Sequence, residues 1–198
     1  MPFIVIVSFI FVVLLTACTS RLGRELLLLE PGSWACAAQL TQMVVVRQGQ
    51  KNWRNSVALS LTPADITMVS LTPLGQRLFT AQYRRGDVLR VTTLADGQGV
   101  PAQHILGLMQ LALWPVDDLK RIYRDNWRFE VIGQKRHIYQ GAELVIDMEL
   151  DDMQPIPSAA CNVQVNESSG QMWPYKIRIV DSLSGIEIDI ETLEFQAL

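Results

Sequence analysis

The stretch PAQHILGLMQLAL, residues 101–113, decides how the chain is read, because here a two-residue hydrophobic alternation gives way to a helical one. Ile105, Leu108, Met109 and Ala112 fall at i, i+3, i+4 and i+7, and Pro101 suits a first turn, where its missing N–H costs nothing. Leu106, Leu111 and Leu113 widen the apolar stripe until only Gln103, His104, Gly107 and Gln110 interrupt it. A helix apolar on so many sides must be covered from more than one direction. Two readings follow. Either it is an ordinary core helix in a well-filled barrel, or its spare apolar side lines a cavity walled by Ile105, Leu106, Leu108, Met109, Leu113 and Trp114. Pro115 ends the helix, and Asp117 and Asp118 open a second, shorter one carrying Leu119, Ile122 and Tyr123, with acid at its positive end as the dipole favours.

Outward from these helices the pattern is β on both sides. Before them, runs at Ala35–Arg47, Trp53–Leu61, Ile66–Leu71, Arg77–Arg84 and Val88–Leu94 are separated by turn residues, among them Pro63-Ala64-Asp65, Pro73-Leu74-Gly75 and Arg85-Gly86-Asp87. After them come Trp127–Ile132, Lys135–Gln140, Ala142–Leu150, Ala160–Asn166, Trp173–Asp181 and Ile186–Phe195. The last shows the clearest alternation, Ile186, Ile188 and Ile190 against Glu187, Asp189 and Glu191, so one face is core and the other wet. The expectation is a mainly β (α+β) domain of about eleven antiparallel strands around a central helical insert.

The N-terminus belongs to a different kind of segment. An apolar run from Phe3, interrupted only by Ser8, leads to Leu15-Thr16-Ala17-Cys18, which looks like a bacterial lipobox: small residues beside the scissile bond, then a cysteine. A spanning helix needs roughly 20 apolar residues, more than this run supplies. On this reading residues 1–17 are a lipoprotein signal peptide, Cys18 is the lipidated mature N-terminus, residues 18–33 are a tether, and 34–198 are the β domain. No Lys or Arg precedes the apolar run, which departs from the usual layout. Thr19, in place of an Asp after the cysteine, favours the outer membrane. Leu26 to Leu29 form an apolar patch in the tether, expected to pack on the domain.

A length of 198 residues is about one domain beyond the signal segment. A net charge of −3 and a pI near 5.4 argue against a nucleic-acid partner. Hydrophobic content of 49% with a mean hydropathy of +0.18 leaves room for apolar surface beyond a normal core. Cys36 and Cys161 remain in a compartment that permits disulfides, and either pair or stay as two buried thiols.

No residues spell out a reaction. There is no Gly-x-Ser-x-Gly elbow, Gly97 and Gly99 lack the rest of a phosphate loop, and neither His104 nor His137 stands at ligand spacing, so no metal, cofactor or catalytic residue is expected. Asp147, Glu149, Asp151 and Asp152 alternate as a solvated strand face does, with a divalent-cation site as the sharper alternative. Arg84, Arg85, Arg121 and Arg124 read as solubilising charges, or else as contacts for a lipid headgroup or a polar partner. Trp114, Trp127 and Trp173 read as core.

Two stretches carry a family resemblance: VSLTPLGQRLFTAQYRRGDVLRV at residues 69–91, and Leu106–Leu119 with its LMQLALWPVDDL. They resemble an uncharacterised family of proteobacterial outer-membrane lipoproteins related to the carrier LolA and the receptor LolB, often encoded beside aryl polyene biosynthesis genes. The resemblance implies an incomplete, strongly curved antiparallel barrel with helices plugging a hydrophobic concavity. It also implies an outer-membrane compartment. The leading expectation is a non-enzymatic, lipid-anchored and monomeric protein on the periplasmic face of the outer membrane, binding lipid or acyl chains and assisting transfer or insertion of a lipidated or polyene cargo. A non-catalytic scaffold with a filled core is the alternative, and an acyl-cargo esterase a more distant one.

Overall fold

The computed structural model describes residues 26–31, 36–93, 101–124, 126–156 and 172–198. Five strands precede the helices: β1 (Ala38–Gln48), β2 (Lys51–Leu61), β3 (Asp65–Leu71), β4 (Arg77–Arg84) and β5 (Arg90–Thr93). Helix α1 (Ala102–Leu113) and helix α2 (Val116–Ile122) follow. Five more strands complete the chain: β6 (Trp127–Ile132), β7 (Lys135–Gln140), β8 (Glu143–Pro155), β9 (Met172–Asp181) and β10 (Ile186–Ala197). The strand expected over Ala160–Asn166 lies outside the described residues.

All ten form one antiparallel sheet in the order β5-β4-β3-β2-β1-β10-β9-β8-β7-β6. Each half is a plain meander of neighbours, and the halves join where the first strand pairs with the last, Ala38 opposite Ala197 through Gln48 opposite Ile186. The sheet is open, with β5 and β6 at its edges and the helices connecting them.

Side-chain alternation puts one face in the core, as the sequence pattern demands. Leu40, Val44 and Val46 of β1, Val57, Leu59 and Leu61 of β2, Ile66 and Met68 of β3, and Ile186, Ile188 and Ile190 of β10 are buried in one apolar cluster. Helix α1 shares that cluster. The charges go to the other face. Glu149 of β8 meets Lys135 of β7 at 3.2 Å and Asp147 lies 3.0 Å from the His137 ring, so the alternating acids of β8 face nitrogen-bearing side chains of β7 across the strands.

Boundaries depart from the sequence expectation for local reasons. β5 begins two residues late because the Asp87 carboxylate accepts the Val88 N–H at 2.9 Å and pairs with Arg90 at 2.8 Å, which prolongs the turn. β8 outruns its expected end at Leu150 because Asp152 adopts a positive φ of 53° and lets pairing with β9 resume as far as Pro155 opposite Met172. Pairing between β9 and β10 stops at Glu191 opposite Lys176, and beyond it the Trp173 indole N–H reaches the Thr192 hydroxyl at 3.1 Å, with Gln42 donating to the same hydroxyl at 3.2 Å. No described helix is long and apolar enough to cross a membrane.

Candidate functional site

The helix of the opening stretch is buried from Ile105 to Leu113, each residue no more than 9% exposed. Ile105, Leu106, Leu108, Met109, Leu113 and Trp114, the expected cavity wall, all lie in the main apolar cluster with Leu26, Leu29, Leu119 and Tyr123. The width of the stripe has a concrete cause: α1 is covered by the sheet and also by residues 26–31, a strap that precedes β1. Gly107 is the point of closest approach. A Cβ there would stand 2.7 Å from the Leu26 Cβ, so only glycine admits the strap at this distance. One turn along, the Gln110 side chain donates to the Leu29 carbonyl at 2.8 Å and accepts the Leu29 N–H at 2.8 Å. This single amide takes the place of a β-ladder rung and satisfies backbone groups that burial would otherwise strand. The polar interruptions in the helix pattern, Gly107 and Gln110, are thus the residues that receive the strap.

Both ends of α1 are pinned by charge. Near its N-terminus the His104 Nε2 lies 2.6 Å from Asp181 Oδ2 at the end of β9. Asp181 is 1% exposed and also accepts from the Ser184 hydroxyl and from the Leu183 N–H at 2.9 Å. Burial alone would raise its pKa, but the bonds from His104 and Ser184 and the charge on His104 outweigh burial and hold it below the usual carboxylate value. At the other end Arg136 of β7 donates to the carbonyls of Leu111 at 3.0 Å and Trp114 at 2.7 Å, where a cation complements the helix dipole. Burial lowers the Arg136 pKa to about 10, which leaves it charged at neutral pH. The Ser184–Asp181–His104 cluster holds the residue types of a hydrolytic triad in another order. Hydroxyl and imidazole Nε2 both meet the carboxylate at Oδ2, and among the described residues no hydrogen bond links the hydroxyl to the imidazole as a triad's base requires.

Two recesses are open to solvent. One, of about 340 Å³, lies on the outer face of β3, β2, β1 and β10 over small side chains, among them Thr41, Ala58, Ser60 and Thr67. The other, of about 470 Å³, lies between α2 and β6 and is lined by Lys120, Tyr123, Arg124, Trp127, Arg128 and Phe129. Tyr123 is its hub. The ring meets Trp127 edge-on at 5.1 Å and Phe129 at 5.8 Å, and the hydroxyl donates to the Leu27 carbonyl of the strap at 2.8 Å. Burial, only partly offset by that bond, keeps the phenol far from ionising.

Of the other expected site residues, Cys18 and Thr19 lie outside the described residues. Cys36 is fully buried and disulfide-bonded, and both other cysteines, Cys18 and Cys161, lie outside the described residues. Arg121 is engaged by Asp118, whereas Arg84 and Arg85 stand exposed at the β4–β5 turn. The residues that fasten the helix, Asp181, Arg136 and Gln110, carried no sequence signal beyond being polar; Gln110 alone marked itself, by interrupting an apolar stripe.

Comparison with solved structures finds distant likenesses. A domain from Vibrio parahaemolyticus provisionally named an outer membrane lipoprotein-sorting protein superposes with a TM-score of 0.47 at 8% identity, over 82% of this chain and 86% of that one. A LolA superfamily protein from Nitrosomonas europaea gives 0.43 at 10% identity, over 83% and 87%. A DUF1329 family protein from Desulfovibrio piger gives 0.43 at 9% identity, over 84% and 87%. No curated protein matches the sequence. The family model described as protein of unknown function (DUF3261) matches residues 39–194, from the second residue of β1 to within four residues of the end of the last strand, and the chain belongs to that family.

Proposed function

We propose that this protein is a non-enzymatic lipoprotein, anchored by acyl chains on Cys18 to the periplasmic face of the outer membrane, that binds a lipid or acyl cargo beneath α1 and assists its transfer or insertion. A lipidated protein and an aryl-polyene lipid are the cargo classes considered. The observation that carries this reading is the strap. One side of an all-round apolar helix is covered by a few residues of the tether itself, received by a glycine and fastened through one glutamine side chain. Withdrawing them bares Gly107 and the apolar residues around it, so the segment that leads to the membrane is also the cover of an apolar site.

The supporting experiment is a fluorescent fatty-acid displacement assay run beside thermal melts on Leu106→Gln and Leu113→Gln. An acyl site predicts that these variants lose binding more than they lose melting temperature, because an amide on a cavity wall has room to find a hydrogen-bond partner, whereas a filled core strands it. Melting losses without saturable binding in the wild type would end the reading. The scaffold alternative has its own support in the burial of every residue from Ile105 to Leu113. It predicts that second outcome. Anchoring is tested apart from cargo: Cys18→Ala abolishes metabolic palmitate label, and Thr19→Asp moves the protein to the inner membrane fraction.

A further inference from the structure

The recess between α2 and β6 combines two kinds of surface that rarely share a wall. Its rim is cationic, with Lys120 and Arg124 at the end of α2 and Arg128 on β6; its floor is the Tyr123, Trp127 and Phe129 cluster. The charges are not equally available. Arg128 is paired with Glu130 and stacked 3.9 Å over Tyr139, which fixes its direction and offsets its charge. Lys120 and Arg124 are exposed and have no carboxylate partner among the described residues, although Arg124 is held by a bond from its Nε to the Arg121 carbonyl at 3.1 Å. That bond uses Nε and leaves both terminal guanidinium nitrogens without a hydrogen-bond partner among the described residues. The neighbouring Asp125 lies outside the described residues.

A guanidinium and an ammonium lining one recess select a phosphate, while a half-buried tryptophan and phenylalanine select the apolar region that adjoins it. Position narrows the source. Tyr123 bonds the Leu27 carbonyl, and Leu27 stands nine residues from Cys18, a reach of at most roughly 30 Å for extended chain. Beside the recess, Leu27 and Ile122 are 51% and 39% exposed, an apolar margin next to the cations.

We infer that this recess binds the phosphate headgroup of an anionic membrane phospholipid, Lys120 and Arg124 taking the phosphate and Trp127 and Phe129 the glycerol and first acyl carbons. The site is separate from the one beneath α1 and rests on the anchored reading only for the reach of the tether. It presents the strap side of the domain to the bilayer, which is where a cargo would enter or leave.

The test uses the full chain in a neutral detergent, titrated with dihexanoyl-phosphatidylglycerol, dihexanoyl-phosphatidylcholine and inorganic phosphate, with hydrogen exchange over residues 119–131 as readout. Soluble short-chain lipids need no anchor, so failure here is distinguishable from failure of lipidation at Cys18. Saturable protection by the phosphatidylglycerol, weakened at least tenfold in Lys120→Glu/Arg124→Glu at unchanged melting temperature, supports the site. Trp127→Leu, which keeps the charges, should weaken the same lipid and leave any response to phosphate untouched. Equal binding of inorganic phosphate would make this a free-anion site and overturn the proposal, as would equal binding of phosphatidylcholine or an undiminished response in the double variant. If the double variant melts early, Lys120→Gln with Arg124→Gln repeats the measurement without charge reversal.

Discussion

The two halves of the sheet hold the same number of strands and the same meander, yet they treat the helix differently. Strands β1–β5 offer it an apolar surface, with Leu59, Ile66 and Met68 in the shared cluster, and end in an edge strand exposed at all four residues. Strands β6–β10 hold it by charge, through Asp181 at one end and Arg136 at the other. The helix is therefore fastened to the second half and only packed against the first. Apolar contact is non-directional and can slide or part, whereas a buried charged hydrogen bond is lost all at once. Any opening of the concave face is expected on the β1–β5 side.

The strongest way to break this comparison is to cut what staples the halves together. Cys36 precedes the first half, and Cys161 falls between β8 and β9 of the second. If they form the bridge that Cys36 enters, the closed loop contributes about 5 kcal/mol by the chain-entropy estimate, so Cys36→Ala should lower stability by that order. Peptide mapping without reduction decides the pairing, and a bridge that uses Cys18 would contradict both the staple and the lipid anchor.

Next in size is Asp181→Asn, which leaves His104 facing an uncharged amide in a buried site and should cost about 3 kcal/mol. Because Asp181 titrates below its unfolded value, its contribution is complete above about pH 4 and is lost as the pH falls through its folded pKa. The stability gap between wild type and variant, measured by denaturant titration, should hence narrow as the pH falls below that value. A gap that stayed constant through that fall would assign the effect to another group.

Arg136→Met should cost about 2 kcal/mol by leaving the Leu111 and Trp114 carbonyls without their donor. Its signature is positional: hydrogen exchange should rise at residues 110–114 before it rises in β1 to β5. Uniform exchange across the sheet would mean that the helix is no more tied to one half than to the other. The smallest effect is expected from Gly107→Val, about 1 kcal/mol, since the strap can retreat from the new side chain at the loss of one glutamine pair. Faster proteolytic cleavage within residues 26–31, with the sheet still protected, would sharpen the view of the strap as a separable cover.

Much of the architecture was legible because it is local. Pro101 and Pro115 bracket α1 as prolines do, and the isoleucines of β10 alternate so cleanly that their face could be assigned without a partner in view. What was not legible is separation in sequence. His104 and Asp181 are 77 residues apart, Gln110 and Leu29 are 81 apart, and neither pair belongs to a motif with fixed spacing. The wide helix stripe was correctly read as needing two covers. That the second cover is Leu26 and Leu29 could not be read, because four leucines in a tether state only that they will be buried somewhere. The basic aromatic recess is barely visible in the sequence: Arg124 reads as a solubilising charge, with a lipid headgroup or polar partner as the alternative, and its juxtaposition with Trp127 and Phe129 depends on how α2 turns into β6.

The pairing of β1 with β10 also sets the order in which the molecule can be made. Every other pairing in the sheet joins neighbours along the chain and closes over short loops, or over one longer connection between β8 and β9, while this one joins residues some 140 to 160 positions apart. Contacts so distant in sequence are slow to form, because the entropy of closing the loop must be lost before any hydrogen bond repays it. A chain that emerges N-terminus first can fold the first meander early, but β1 keeps a bare edge until β10 arrives. Until then that edge is a template for any passing strand. The last strand is consequently the one whose truncation should turn a slow folder into an aggregating one.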